Sequence, residues 1–100
     1  MSLNAGGVSI NDGASIASSK VSLPWSAGTI QILPADPIRK CAIIQVAPDD
    51  SVWLGDATIT WANKKGIKAS PNDVVTYRNT AALYACADLD DTSITIMVEK

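Results

Sequence analysis

No stretch of this 100-residue chain runs far enough between turn signals to make an amphipathic helix, and that limits the possible folds more than any other feature. From Lys20 onward, short runs rich in β-branched and small apolar residues alternate with clusters of Pro, Asp, Asn and Gly. The runs are Lys20–Leu23, Thr29–Leu33, Cys41–Val46, Ser51–Leu54, Ala57–Trp61, Ile67–Ser70, Val74–Tyr77, Ala81–Ala87 and Ser93–Glu99. In the last of these, Ile94, Ile96 and Val98 alternate with Thr95, Met97 and Glu99, the period of a strand with one buried face. Short strands at this spacing, bounded by turn residues, predict an all-β domain: a small antiparallel β-sandwich, jelly-roll-like or Ig-like, of about eight strands. Prolines confine some runs to edges, as Pro24 does after Lys20–Leu23. The stretch 39–56 reads as the organising unit. Cys41–Val46 has no strongly polar face, which predicts a strand buried on both sides. Pro48-Asp49-Asp50 then turns the chain into Ser51–Leu54, and the two runs are expected to pair as a β-hairpin.

Residues 1–19 differ in composition, being rich in Gly, Ser, Ala and Asn with isolated apolar residues at Leu3, Val8, Ile10 and Ile16. The expected division is an extended N-terminal arm over 1–19 and a sandwich over 20–100. Such an arm cannot bury enough surface of its own, and Val8-Ser9-Ile10 is suited to adding as a strand to a neighbouring subunit. Charged residues make up only 18 % of the chain, against about 25 % in an average domain, while 47 % are apolar. A chain so poor in charge is expected to cover apolar surface with a partner. The net charge of −2, with no basic patch, argues against nucleic acid. No apolar run approaches a membrane-spanning length, and the first residues lack the charged start and apolar core of a signal peptide. Synthesis and retention in a cytoplasm is therefore expected, with Cys41 and Cys86 as reduced core thiols.

Little in the sequence suggests catalysis. There is no histidine, so no Ser/His/Asp or Cys/His nucleophile system can be built, and the commonest metal ligand is missing. The carboxylate pairs Asp49-Asp50 and Asp90-Asp91 fall in turns, where Asp is favoured because its side chain bonds nearby backbone donors. Asp88, Asp90 and Asp91 lack the glycine and distal Glu of a calcium loop, and Gly6-Gly7 opens no strand-to-helix phosphate loop. No catalytic residue, cofactor or metal is expected. The rings are Trp25, Trp53, Trp61, Tyr77 and Tyr84. Indoles exposed together on one face would suit a glycan; indoles in the core or at a subunit interface would suit a structural protein.

Several segments together resemble the small β-sandwich modules of tailed-bacteriophage virions, such as head decoration and head-fibre proteins. They are Thr29-Ile-Gln-Ile-Leu-Pro-Ala-Asp-Pro-Ile-Arg-Lys, Ile43-Ile-Gln-Val, Val52-Trp-Leu-Gly-Asp, Gly66-Ile and Ala82-Leu-Tyr-Ala. The likeness spans about residues 29–98, does not touch 1–28, and departs from the more usual Asn-Pro at Asp36-Pro37. It implies a structural virion protein without enzymatic activity. Combined with the arm and the low charge, it leads to the expectation of a capsid decoration (cement) protein on the capsid surface. Such a protein would be a trimer, with the major capsid protein and its own copies as partners and Leu3, Val8, Ile10, Ile16, Trp25, Trp53 and Trp61 as interface residues. The competing expectation is a carbohydrate- or receptor-binding module on a fibre or tail, using Trp53 or Trp61.

Overall fold

The computed structural model describes residues 3–5, 8–10, 16–60, 62–88 and 90–100. Two three-residue strands, β1 (Leu3–Ala5) and β2 (Val8–Ile10), pair antiparallel with each other and, among the described residues, with no strand of the main body. The body consists of β3 (Ile16–Leu23), β4 (Ile30–Leu33), β5 (Cys41–Val46), β6 (Val52–Gly55), β7 (Ile67–Ala69), β8 (Val74–Tyr77), β9 (Leu83–Ala87) and β10 (Thr92–Glu99). The helical content among the described residues is one 3-10 turn, Trp25–Ala27, and no helix is long and apolar enough to cross a membrane. β3 begins at Ile16, so residues 16–19 run within the sheet.

All pairings are antiparallel, in two four-stranded sheets: sheet I, ordered β3-β10-β5-β8, and sheet II, ordered β4-β9-β6-β7. Every connection within the body crosses between sheets except β6 to β7. This is the eight-strand jelly roll, one of the two sandwich topologies expected. Register places Ile94, Ile96 and Val98 of β10 opposite Val46, Ile44 and Ala42 of β5 on the inner face, where Leu23, Val52, Leu54, Leu83 and Ala85 meet them. Ile44, Ile94 and Ile96 are essentially sealed from water, each contributing about 1.5–3 kcal/mol by burial.

The β5–β6 hairpin does not form. Both strands lie where expected, but β5 sits between β10 and β8 in sheet I, and β6 sits between β9 and β7 in sheet II. Residues 47–51 bridge the two layers, with Ala47 N–H donating to Ser93 O, Ser51 O accepting from Asp88 N–H, and Ser51 N–H donating to Asp50 Oδ1. Five residues comfortably span the roughly 10 Å between packed sheets, so the turn chemistry at Pro48-Asp49-Asp50 serves an arch as well as a hairpin. β5 is buried on both faces as expected, with Gln45 alone exposed.

The expected strand at Ala57–Trp61 is also absent: residues 57–60 are turn and coil, and Trp61 lies outside the described residues. Side chains take the backbone donors a ladder would use. Asp56 Oδ1 accepts from Thr58 N–H and Oγ1, and Asn63 Oδ1 accepts from Thr60 N–H and Lys65 N–H. The loop closes on two glycines. A Cβ on Gly66 would lie 2.4 Å from the Leu54 carbonyl oxygen, and one on Gly55 2.7 Å from Ile59 Cγ2.

Candidate functional site: an open edge and two loop-end clusters

The segment Pro34–Lys40 is a clamp rather than a recognition loop. Arg39, 5 % exposed, donates from Nη1 to Pro34 O and from Nη2 to Asn79 O and Ala81 O, each at 2.8 Å, and its guanidinium lies 5.6 Å from the Tyr77 ring centroid. Asp36 N–H donates to Thr80 O at 2.8 Å, and Asp36 Oδ1 accepts from Ile38 N–H. Lys100 Nζ lies 2.8 Å from Asp36 Oδ2 and, with the Ile38 bond, holds that carboxyl below its ordinary range. Nothing in the sequence pattern flagged Arg39 as the hub of these bonds, although Arg39 belongs to the segment that carries the phage-module resemblance.

The outer face of sheet II carries a second cluster. Trp53, Ile59 and Cys86 pack together, and Thr29 Oγ1 donates to the Ile59 carbonyl. Trp53 Nε1 donates to Asp88 Oδ1 at 2.9 Å, and Lys68 Nζ lies 3.3 Å from Asp88 Oδ2 and 5.9 Å from the Trp53 ring centroid. The Trp53 bond is the chief cause holding the Asp88 carboxyl below the ordinary range; Lys68 adds to it against the opposing effect of burial. Trp53 is thus buried within its own chain, 9 % exposed. Both cysteines are free and buried, Cys41 in sheet I and Cys86 in sheet II, and desolvation pushes both thiols up.

Of the other residues singled out by sequence, Trp25 is 41 % exposed in the 3-10 turn, where its N–H donates to Asp91 Oδ1 at 2.8 Å. Ile16 opens β3, half exposed. Leu3 lies in β1 and Val8 and Ile10 in β2. The two described indoles do not meet: Trp53 lies on the outer face of sheet II, and Trp25 at the loop end beside Asp91. The carboxylates of the acidic turns accept local backbone bonds, at Ser51 and Asp91, as turn residues do. Among the described residues, no group of three or more His, Cys, Asp or Glu is placed to hold a metal.

A cleft of about 420 Å³ is lined mainly by the apolar Leu54, Ile59, Ile67, Val75, Tyr77 and Leu83, with Asp56 and Lys65 among its polar residues. It lies between β7 and β8, the edge strands of the two sheets. Ile67 pairs with Leu54, so it stands on the face turned toward the opposite sheet, yet it is 75 % exposed. The sandwich is therefore unclosed on this side. Finding the cleft from sequence would have required knowing that β7 and β8 are both edges, and strand order is not written locally.

No protein-family model and no curated protein matches the chain. Among solved structures, it is similar to the stem and receptor binding domain of the spike protein P1 from bacteriophage PM2, with 20 % sequence identity and a TM-score of 0.63. The match covers 78 % of this chain and 31 % of that one, so this chain corresponds to less than a third of the spike structure. At that identity the likeness is one of fold: the jelly roll described above is also used by a phage spike chain.

Proposed function

We propose that this protein is a non-enzymatic structural component of a bacteriophage virion that attaches to its neighbours through the open β7–β8 side. The observation that carries this reading is Ile67, turned toward the inter-sheet space and 75 % exposed beside an apolar cleft of about 420 Å³. Apolar surface left open in this way is the mark of an interaction site. The fold shared with a phage spike chain and the resemblance to virion modules both support placement in a particle. Within that class we favour a capsid decoration protein bridging copies of the major capsid protein, because Trp53 is spent inside the chain and not displayed for a ligand. Immunogold labelling and mass spectrometry of purified virions test the placement, with label expected over the head. Capsids that keep their full thermal and mechanical resistance after the protein is stripped would overturn the decoration role.

A second reading, receptor or carbohydrate binding, is favoured by one specific observation. Trp25, 41 % exposed, follows a polar hollow of about 380 Å³ lined by Lys20, Ser22, Pro24, Asp49 and Asp91 among others. Trp25 N–H donates to Asp91 Oδ1, which ties the turn carrying this indole to the rim of that hollow, where hydroxyl, carboxylate and ammonium groups could meet a sugar. A glycan array that shows binding lost in Trp25→Ala would establish it in place of the first.

A further inference from the structure

The jelly roll has four edge strands, and three of them carry a device against further pairing. β3 has Lys20 within it and is followed by Pro24; β4 has a register irregularity between Gln31 and Leu33 and is followed by Pro34; β7 has Lys68 at its centre. Charges, bulges and prolines are how natural edges are kept from recruiting strands. β8, Val74-Val75-Thr76-Tyr77, has none of these within its four residues, although Arg78 follows it directly. Its register with β5 sets Val75 and Tyr77 on the inner face and leaves Val74, 42 % exposed, and Thr76 on the outer one. A strand added along the free side of β8 would extend sheet I and direct alternate side chains into the space that Val75 and Tyr77 line, which is the apolar cleft. The unprotected edge and the hole beside it form one receptor for an extended segment.

The segment that fits is on the same chain. Among the described residues β2 pairs with β1 alone, in a two-stranded unit joined to neither sheet, and an isolated two-stranded hairpin is at best marginally stable in water. In an added strand, Val8 and Ile10 would share one face. Charge also matches. Lys65 lines the cleft, and Lys64 and Arg78 adjoin lining residues in sequence; none of the three is ion-paired among the described residues. Asp12 is the one charged side chain in residues 1–19. Reach decides whose arm it is. Residues 10 to 16 are six links apart and span at most about 20–22 Å. Passing from β3 to a fifth position beyond β8 takes four strand spacings, about 19 Å, before any detour around the sheet. Within one chain only a fully extended linker would serve, whereas a second copy can present the arm without that constraint, which favours a second copy as the donor. We infer that β2 of one copy adds to the β8 edge of a second copy, filling its cleft with Val8 and Ile10.

This inference rests on the structural reading above and names the partner of its open side. The contact is heterologous, closing into a ring or propagating as a chain. The test is sedimentation of the purified full chain over a range of concentrations, with no virion present. Assembly above the 10.5 kDa monomer is expected, weakened at least about tenfold by Val8→Asp/Ile10→Asp and, separately, by Ile67→Asp. Ile67 is 75 % exposed in the single chain, so its variant should keep the far-UV circular dichroism of the folded protein. Mixing the two variants, one with an intact cleft and the other with an intact arm, should restore a single contact and give dimers. A wild-type monomer at all concentrations, assembly that survives either variant, or no recovery on mixing overturns the inference. Because the assay contains no particle, any of these outcomes leaves the virion placement to its own test.

Discussion

Replacing Arg39 tests whether the Pro34–Lys40 segment is a structural clamp. Three carbonyls from two separate loops accept from one buried guanidinium at 2.8 Å, and Ala81 O also accepts from Tyr77 Oη at 3.1 Å. Hydrogen bonds to charged groups contribute roughly 1.5–3 kcal/mol each. Against their sum stands the cost of burying the cation, several kcal/mol, because among the described residues no carboxylate pairs with it directly. The net loss on Arg39→Met should therefore be about 3 kcal/mol, because Pro34 O and Asn79 O are left without a donor and Ala81 O keeps only Tyr77 Oη. At roughly 4–8 °C per kcal/mol for a domain of this size, the melting temperature should fall by about 12–24 °C. Arg39→Lys keeps the charge, but a single ammonium cannot span both loops, so it should lose about 2 kcal/mol. Urea unfolding followed by far-UV circular dichroism gives both values by linear extrapolation. If Arg39→Met stays within about 1 kcal/mol of wild type, or if Arg39→Lys is indistinguishable from it, the clamp does not hold the loops. The consequence reaches the open edge, because the loop held by Arg39 connects Tyr77 to Leu83, and both line the cleft.

Gly66→Ala drives a methyl against the Leu54 carbonyl oxygen, a backbone atom that cannot swing aside, and should destabilise by about 1–3 kcal/mol, read as a lower urea midpoint. Asp88, its carboxyl held low by Trp53 and Lys68, contributes stability that is complete above the unfolded carboxylate value of about 4 and disappears as pH falls through the lower folded value. Acid titration of tryptophan fluorescence should show this step, and Asp88→Asn should abolish it. Glu99 is 3 % exposed, with Oε2 lacking a hydrogen-bond partner, so Glu99→Gln should stabilise by about 1 kcal/mol; a lower melting temperature would contradict that. Cys41 and Cys86 should both resist a thiol reagent in the native protein and react together on unfolding, since burial shields them and disfavours the thiolate.

Strand positions were legible because each is encoded locally. Alternation in Ser93–Glu99 and two-sided apolarity in Cys41–Val46 both correspond to the observed β10 and β5. Pairing was not legible. A turn after β5 says that the chain reverses, not whether it reverses within a sheet or across the sandwich, and of the eight strands of the body only β6 and β7 are both sequential and adjacent. Ala57–Trp61 misled because Thr and Ile favour strands, while Asp56 and Asn63, the residues that cancel that preference, act from outside the run. Of the candidate site, the arm residues were visible as apolar residues in a polar segment. The receptor beside β8 was hidden, since its lining comes from residues between 54 and 83 brought together only by the topology.

The segments that suggested a virion module turn out to do structural work. Pro34 through Arg39 ties two loops and the C-terminal Lys100 together. Gly55 and Gly66 allow the 56–66 loop to close against β6. Trp53 is bonded to Asp88 beneath Ile59. Such residues report a way of building a small jelly roll, which is consistent with a shared fold at 20 % identity to a spike chain, and they do not choose a partner. The choice must lie in parts the motif leaves free: the first ten residues, the Trp25 turn and the β8 edge. Of these, the β8 edge combines unpaired backbone with apolar volume, and β2 is a strand that, among the described residues, pairs with β1 alone. Two incomplete elements in one chain, each lacking what the other has, are most simply satisfied by copies exchanging them.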